Sequence, residues 1–154
     1  MSRIVVFGGT GYAGAAVVKE AASRGHHVTS VSRHQPGTPV DQVAYLHGNV
    51  TDPEFVASAV AGADVVVSAL SPRGELDGKI LGANIEIARQ ARGAGARLVV
   101  VGGFSSLRPA EGEPSAAEGD QIPEIFRSEA LQMHSVLNHL KGEGRETVTR
   151  KIAQ

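Results

Sequence analysis

Short apolar runs alternate along this chain with stretches of helical period. Arg3–Phe7 is apolar almost throughout and predicts a first strand, and Tyr12–Ser23 then sets Ala13, Ala16, Val17 and Ala21 on one helical face. His27–Val31 and the short Val43–Leu46 predict two further strands. Asp52 suits an N-cap and opens a helix reaching about Ala61, and the Val-rich Asp64–Ala69 follows as a fourth strand. Lys79–Ala94 brings Ile80, Ala83, Ile87 and Ala91 into helical register, Arg97–Val101 reads as a fifth strand, and Pro123–Leu140 as the last helix. Strands that are apolar on both sides and separated by helices imply a parallel sheet covered on both faces. The predicted class is α/β, a doubly wound parallel sheet in three αβα layers.

Two segments break this rhythm. Leu107–Glu124 has no period and carries Pro109, Pro114, Pro123 and five acids, so a lid and a solvated disordered connection are both open readings. Residues 142–154 form a polar tail, read as irregular or as a weak edge strand through Glu146–Arg150.

Composition narrows the function classes. The 154 residues hold no cysteine, which excludes disulfide frameworks, thiolate catalysis and zinc–cysteine sites and favours a reducing compartment. Fifteen Lys and Arg against sixteen Asp and Glu leave a net charge of −1, so no global field draws the chain to nucleic acid or membrane. With no Trp, two Tyr and four Phe, it lacks the stacking platforms of single-strand binders. No apolar run reaches membrane-span length, and Met1-Ser2-Arg3 passes straight into the first strand without a signal peptide, so a cytoplasmic location is expected. Glycine is in excess, at 19 residues, and clusters where strands turn into helices.

The strongest chemical signal is Gly8-Gly9-Thr10-Gly11-Tyr12-Ala13-Gly14, a G-x-x-G-x-x-G turn directly after the first strand and before the first helix. There Gly8 permits the sharp exit, Gly11 lets a pyrophosphate approach the backbone, and Gly14 allows close helix–sheet packing. The helix N-terminus adds unpaired N–H groups and a dipole favouring an anion by about 0.3–1 kcal/mol. Dinucleotide-binding turns are followed, about 20 residues on, by an acid for the ribose 2′-hydroxyl. This chain has Ser32-Arg33 there instead, which suits a 2′-phosphate and predicts NADP(H) over NAD(H).

With these motifs in place the chain resembles the atypical short-chain dehydrogenase/reductases of the NAD(P)H-binding, NmrA-like group. The resemblance rests on Ile4–Gly14, Arg24–Arg33, Gly48–Pro53, Ala63–Leu70 and Arg97–Leu107, in that order. It implies a Rossmann-like NAD(P)-binding domain over residues 1–141. It also implies that Gly8, Thr10, Gly11, Tyr12 and Ala13 line the pyrophosphate, Ser32 and Arg33 meet the 2′-phosphate, and Asn49 and Val50 flank the adenine. Ser68, Ala69 and Leu70 would then pack beside the nicotinamide ribose, and Gly103 to Ser106 would border the nicotinamide pocket. Arg73, just past the fourth strand, is read as a holder of an anionic substrate or the diphosphate, or else as a surface charge.

The departures from the group are informative. Asn49 stands where the family usually has Asp, and Phe126 where a Tyr often precedes the last helix. The superfamily's Tyr-x-x-x-Lys is missing, because Ala16 and Asn49 lie four residues after Tyr12 and Tyr45. No catalytic residue is therefore assigned; Ser105 and Ser106 are weak candidates for polarising an oxygen. The chain is also C-terminally short against the group, which leaves a bare fifth-strand edge and suggests a truncated or frame-shifted product. His134 and His139, about 140° apart around a helix, are read as polar helix positions and not as metal ligands.

Two functions remain open at this level. One is an NADPH-dependent reductase of a small acceptor such as a flavin or quinone, for which water can supply the proton. The other is a non-catalytic NADP(H) sensor whose protein partner would meet the acid-rich Leu107–Glu124 loop. Epimerisation or dehydration of a sugar nucleotide is disfavoured by the missing Tyr.

Overall fold

The computed structural model describes residues 1–142, which divide into two compact units. Unit 1 comprises Met1–Leu70 and Gly82–Val101, and unit 2 comprises Ser71–Leu81 with the chain from Gly102 onward. The predicted tail from residue 143 lies outside the described residues.

Unit 1 is built on five parallel strands, β1 (Arg3–Phe7), β2 (His27–Ser32), β3 (Ala44–His47), β4 (Val65–Ser68) and β5 (Arg97–Val100), in the order β3-β2-β1-β4-β5. Helix α1 (Tyr12–Ser23) links β1 to β2, α2 (Pro53–Val60) links β3 to β4, and α3 (Ile80–Gly93) leads into β5. The sheet is the Rossmann-like doubly wound one. The order in which strands are added reverses between β1 and β4, the switch point at which such sheets place ligands.

Alternation along the strands explains why both faces are apolar. Val6, Val28 and Val67 share one face and pack with Val18 and Ala21 of α1. Phe7, Val31 and Val66 are buried on the other. Ser68 lies on that second face, and its hydroxyl donates to Asn84 Oδ1 of α3 at 2.7 Å, so α1 and α3 cover opposite faces. β5 pairs with β4 alone among the described residues, and Val99 is exposed there.

The elements differ from the sequence expectation at their margins. β2 runs one residue further, to Ser32, and β3 starts one residue later, because register with β2 pairs Ala44 to Thr29 and His47 to Ser32. The buried stripe of α1 is Gly14, Val18 and Ala21, while Ala16 faces solvent. Asp52 caps α2 as predicted, accepting the Glu54 N–H at 3.0 Å.

Unit 2 contains the 3-10 turns Gly74–Leu76, Phe104–Ser106 and Ala116–Glu118 and the long helix α4 (Glu124–Gly142). The segment without hydrophobic period is ordered by polar contacts. Ser115 and Glu118 form a reciprocal capping box, and Arg108 bonds both the Glu113 carbonyl (2.6 Å) and the Glu118 carboxylate (3.1 Å). Arg127 of α4 reaches the Gly119 carbonyl at 3.3 Å. No helix among the described residues is long and apolar enough to cross a membrane.

Candidate functional site

The turn after β1 is shaped by what its glycines exclude. Gly8 has φ +77°, a left-handed conformation costly for any side chain, and a Cβ there would lie 2.6 Å from the Ala69 carbonyl oxygen. Gly8 and Gly9 N–H groups both donate to the Val31 carbonyl, at 2.9 and 3.3 Å, while Ala69 N–H donates to the Phe7 carbonyl at 2.9 Å. The exits of β1, β2 and β4 are thus tied together by backbone.

A Cβ on Gly14 would collide with the Gly8 carbonyl and approach Gly9 Cα to 3.0 Å. Its role is therefore to let α1 close on the turn itself, a correction to the expected helix–sheet contact. Gly9, which the motif leaves as a variable position, is equally constrained, since its Cβ would strike the buried Ser30 hydroxyl beneath it. Only the folded register of β2 reveals that pairing.

Gly11 behaves differently. It is exposed, and a Cβ there would meet only the Gly8 oxygen, at 3.4 Å, so the protein itself does not demand glycine. It caps α1 with no side-chain hydrogen bond, and the first turn of α1 carries no acid. The N–H groups of Tyr12, Ala13 and Gly14 have no acceptor four residues back within the helix. A bare glycine face beside free first-turn donors and the helix dipole fits a pyrophosphate. Thr10 is half-buried in the same turn, and the Tyr12 side chain is fully exposed.

The other sequence-selected residues fall into distinct places. Arg33 is exposed immediately past β2, and the Ser32 hydroxyl donates to the His34 carbonyl at 2.7 Å. Asn49 uses its side-chain oxygen locally, accepting the Thr51 N–H (2.9 Å) and hydroxyl (2.8 Å), and Val50 is buried behind it. Asn49 thus shapes the β3 exit, with no adenine contact implied by those bonds. Ser68 is buried with its hydroxyl committed to Asn84, so Ala69 and Leu70, half-buried next to Gly8, are what β4 presents at the cradle.

Arg73, Gly103, Ser105 and Ser106 belong to unit 2. Arg73 forms a two-pronged pair with Glu129 of α4, at 3.0 and 3.1 Å, and hydrogen bonding to that carboxylate raises its pKa. Gly103 packs against Met133, and Ser106 is buried with its hydroxyl unbonded. Neither phenol is set up as an acid. Tyr12 stands in solvent, and Tyr45 accepts the Val40 N–H at 2.9 Å.

His134 corrects its reading as a polar helix position. It is buried in unit 2, with Nε2 3.7 Å from a Glu118 oxygen. No cluster of metal-binding side chains occurs among the described residues. The Ser115 backbone N–H and hydroxyl, followed by Arg108, hold the Glu118 carboxyl down at about 2. A depressed acid contributes stability above its ordinary value of 4.5 and loses it as pH falls toward 2. Acid unfolding followed by circular dichroism is therefore expected to show a Glu118→Gln chain less stable than the parent at pH 7, with the gap closing below pH 4.5.

Residues 8–144 match a family model described as NAD(P)H-binding. A 65-residue stretch is 40% identical to the 2-alkyl-3-oxoalkanoate reductase of Stenotrophomonas maltophilia, covering 42% of this chain and 20% of that protein. Over 80 residues the chain is 39% identical to an isoflavone reductase homologue of Zea mays, covering 45% of this chain and 26% of that protein. The matched stretches thus span only 20% and 26% of these two curated relatives. Among solved structures, an exported-protein candidate from Burkholderia pseudomallei is 36% identical with a TM-score of 0.78, covering 92% of this chain and 67% of its own.

Proposed function

Because the chain belongs to the NAD(P)H-binding family, we propose that it is an NADPH-dependent reductase whose acceptor is a flavin, a quinone or a similar small molecule. The observation that carries this reading is the cradle at the β1 exit, where Gly8 and Gly14 are required by the fold and Gly11 is not. A glycine that the protein does not need is explained by a ligand that does. Residues 1–141 are the proposed nucleotide-binding domain.

Arg33 supports the phosphorylated cofactor, since an exposed guanidinium stands where an acid would repel the 2′-phosphate. A bound nicotinamide supplies the hydride. The chain's own share is to bind and orient, because neither Tyr12 nor Tyr45 is placed to deliver a proton. Acceptors whose reduction takes its proton from water suit that arrangement. Two of the curated relatives are named as reductases, which favours turnover over passive binding. The sensor reading draws on the exposed apolar side chains of Phe104, Ile125 and Phe126 in unit 2.

Calorimetric titration of the purified chain is expected to show NADPH binding at least about ten-fold tighter than NADH, a difference of about 1.4 kcal/mol. Oxidation of NADPH on adding free flavin or a soluble quinone then separates the reductase from the sensor, which binds without turnover. Binding of neither dinucleotide would overturn both readings.

A further inference from the structure

We propose that unit 1 carries a second ligand site, at the opposite end of the sheet from the glycine cradle, for a small organic carboxylate with an apolar body. Arg3 holds the carboxylate, and the site is independent of what the cradle takes.

The site is a cleft of about 490 Å³ between the starts of β1, β2 and β3 and the end of α2. That volume lies in the range of small-molecule pockets. Strand register explains the floor. Arg3 pairs with His27, Val5 with Thr29, and Thr29 with Ala44, so these five residues share one face of the sheet. Ala59, Ala61 and Ala63 line the cleft from the α2 side, and Val5, Ala59 and Ala63 are buried. Small side chains on floor and wall leave the space and make its depth apolar. β1 runs from Arg3 in the cleft to Phe7 beside Gly8, so cleft and cradle lie about 16 Å apart along one strand.

Two observations point to an anionic ligand. The first is Arg3, whose guanidinium lies beside the turn after α2, where a Cβ on Gly62 would meet Nη1 at 3.2 Å. None of the lining residues is acidic, and the guanidinium has no ion pair among the described residues. Asp64 turns its carboxylate to the Arg3 backbone N–H instead, at 2.7 Å. The second is strain at Gln42, whose φ of +64° is the only left-handed backbone on a non-glycine residue among the described ones. Gln42 is third in a turn closed by the Val43 N–H on the Val40 carbonyl (3.3 Å), a position that suits glycine or asparagine. The turn gives no reason for glutamine. The cleft does, because Gln42 lines it and its amide can donate to a carboxylate. Thr29 adds a hydroxyl, and the planar fork of Arg3 matches a carboxylate in two-pronged fashion.

The probe is benzoate, with benzamide as its uncharged counterpart and inorganic phosphate as an anion without an apolar body. Each is titrated into the isotope-labelled intact chain, and backbone amide shifts are followed by NMR. Benzoate is expected to shift residues 3–5, 27–29, 42–44 and 59–63 and to leave 8–14 unmoved. It should bind at least about ten-fold tighter than either control, the smaller end of what one charge-assisted hydrogen bond contributes. Arg3→Gln, checked for an unchanged circular-dichroism spectrum, is expected to bring benzoate to the affinity of benzamide. Gln42→Gly should raise the thermal midpoint by relieving the turn, yet weaken benzoate about three-fold. The proposal is overturned by the absence of a saturable benzoate shift, by shifts centred on residues 8–14, or by benzamide or phosphate binding as tightly as benzoate. Selectivity retained in Arg3→Gln, or parental affinity in Gln42→Gly, overturns it as well. NADPH binding is read separately by calorimetry, so either site can fail alone.

Discussion

A Gly14→Val chain is expected to lose NADPH binding altogether and to unfold at a clearly lower temperature. The side chain would begin inside the Gly8 carbonyl, with the Gly8 carbon at 2.7 Å and Gly9 Cα at 3.0 Å. Every obstructing atom is backbone, so no rotamer change relieves the overlap. Either α1 lifts from the turn or the turn opens. Overpacking of a well-filled site costs about 1–3 kcal/mol, and here it also dismantles the hydrogen bonds that tie Gly8 and Gly9 to Val31.

The control that gives this result meaning is Gly11→Ala. Its new methyl would meet only one protein atom at ordinary contact distance, and its backbone is extended, so the thermal midpoint should hold. NADPH affinity is nevertheless expected to fall at least about ten-fold, because the methyl occupies the surface the pyrophosphate must approach. Calorimetry paired with thermal unfolding separates the two glycines. If Gly11→Ala binds NADPH like the parent, no ligand uses that face and the cradle is only a turn.

Much of this fold is legible in the chain because parallel strands buried on both faces write themselves as unbroken runs. Val65–Ser68 could hardly be anything else. The face of α1 is not legible in that way. Ala occupies positions 13, 15, 16, 21 and 22, so the helical period carries little contrast, and Gly14, the residue that fixes the contact, contributes nothing to it. The segment after β5 fails for another reason. Its order comes from Arg108, Ser115 and Glu118, and polar stitching leaves no hydrophobic period, although Ser115-x-x-Glu118 is itself a capping-box signature. Within the site, the glycine spacing announces the cradle, whereas the constraint on Gly9 depends on Ser30 arriving from another strand. His134 illustrates the same limit, because it is buried with Nε2 3.7 Å from Glu118, a neighbour 16 residues away that its helical period does not announce.

Charge reversal at Arg33 is the sharpest test of cofactor choice, and Arg33→Asp is expected to invert it. Loss of one charge-assisted bond to the 2′-phosphate weakens NADPH by about 1.5–3 kcal/mol, and the new carboxylate adds repulsion. The same carboxylate can accept the 2′-hydroxyl of NADH, so NADH should bind as well as before or better. NADPH affinity is expected to drop ten- to a hundred-fold or more, and the NADPH-to-NADH ratio to fall below one. The effect should be largest at low ionic strength, since Arg33 is exposed and salt shortens the reach of its charge, to about 8 Å at physiological strength. A ratio that fell with NADH unchanged would locate the whole change at the 2′-phosphate and none of it at the 2′-hydroxyl. A variant that still preferred NADPH would show that Arg33 does not read the ribose, and the acid missing from the end of β2 would lose its meaning.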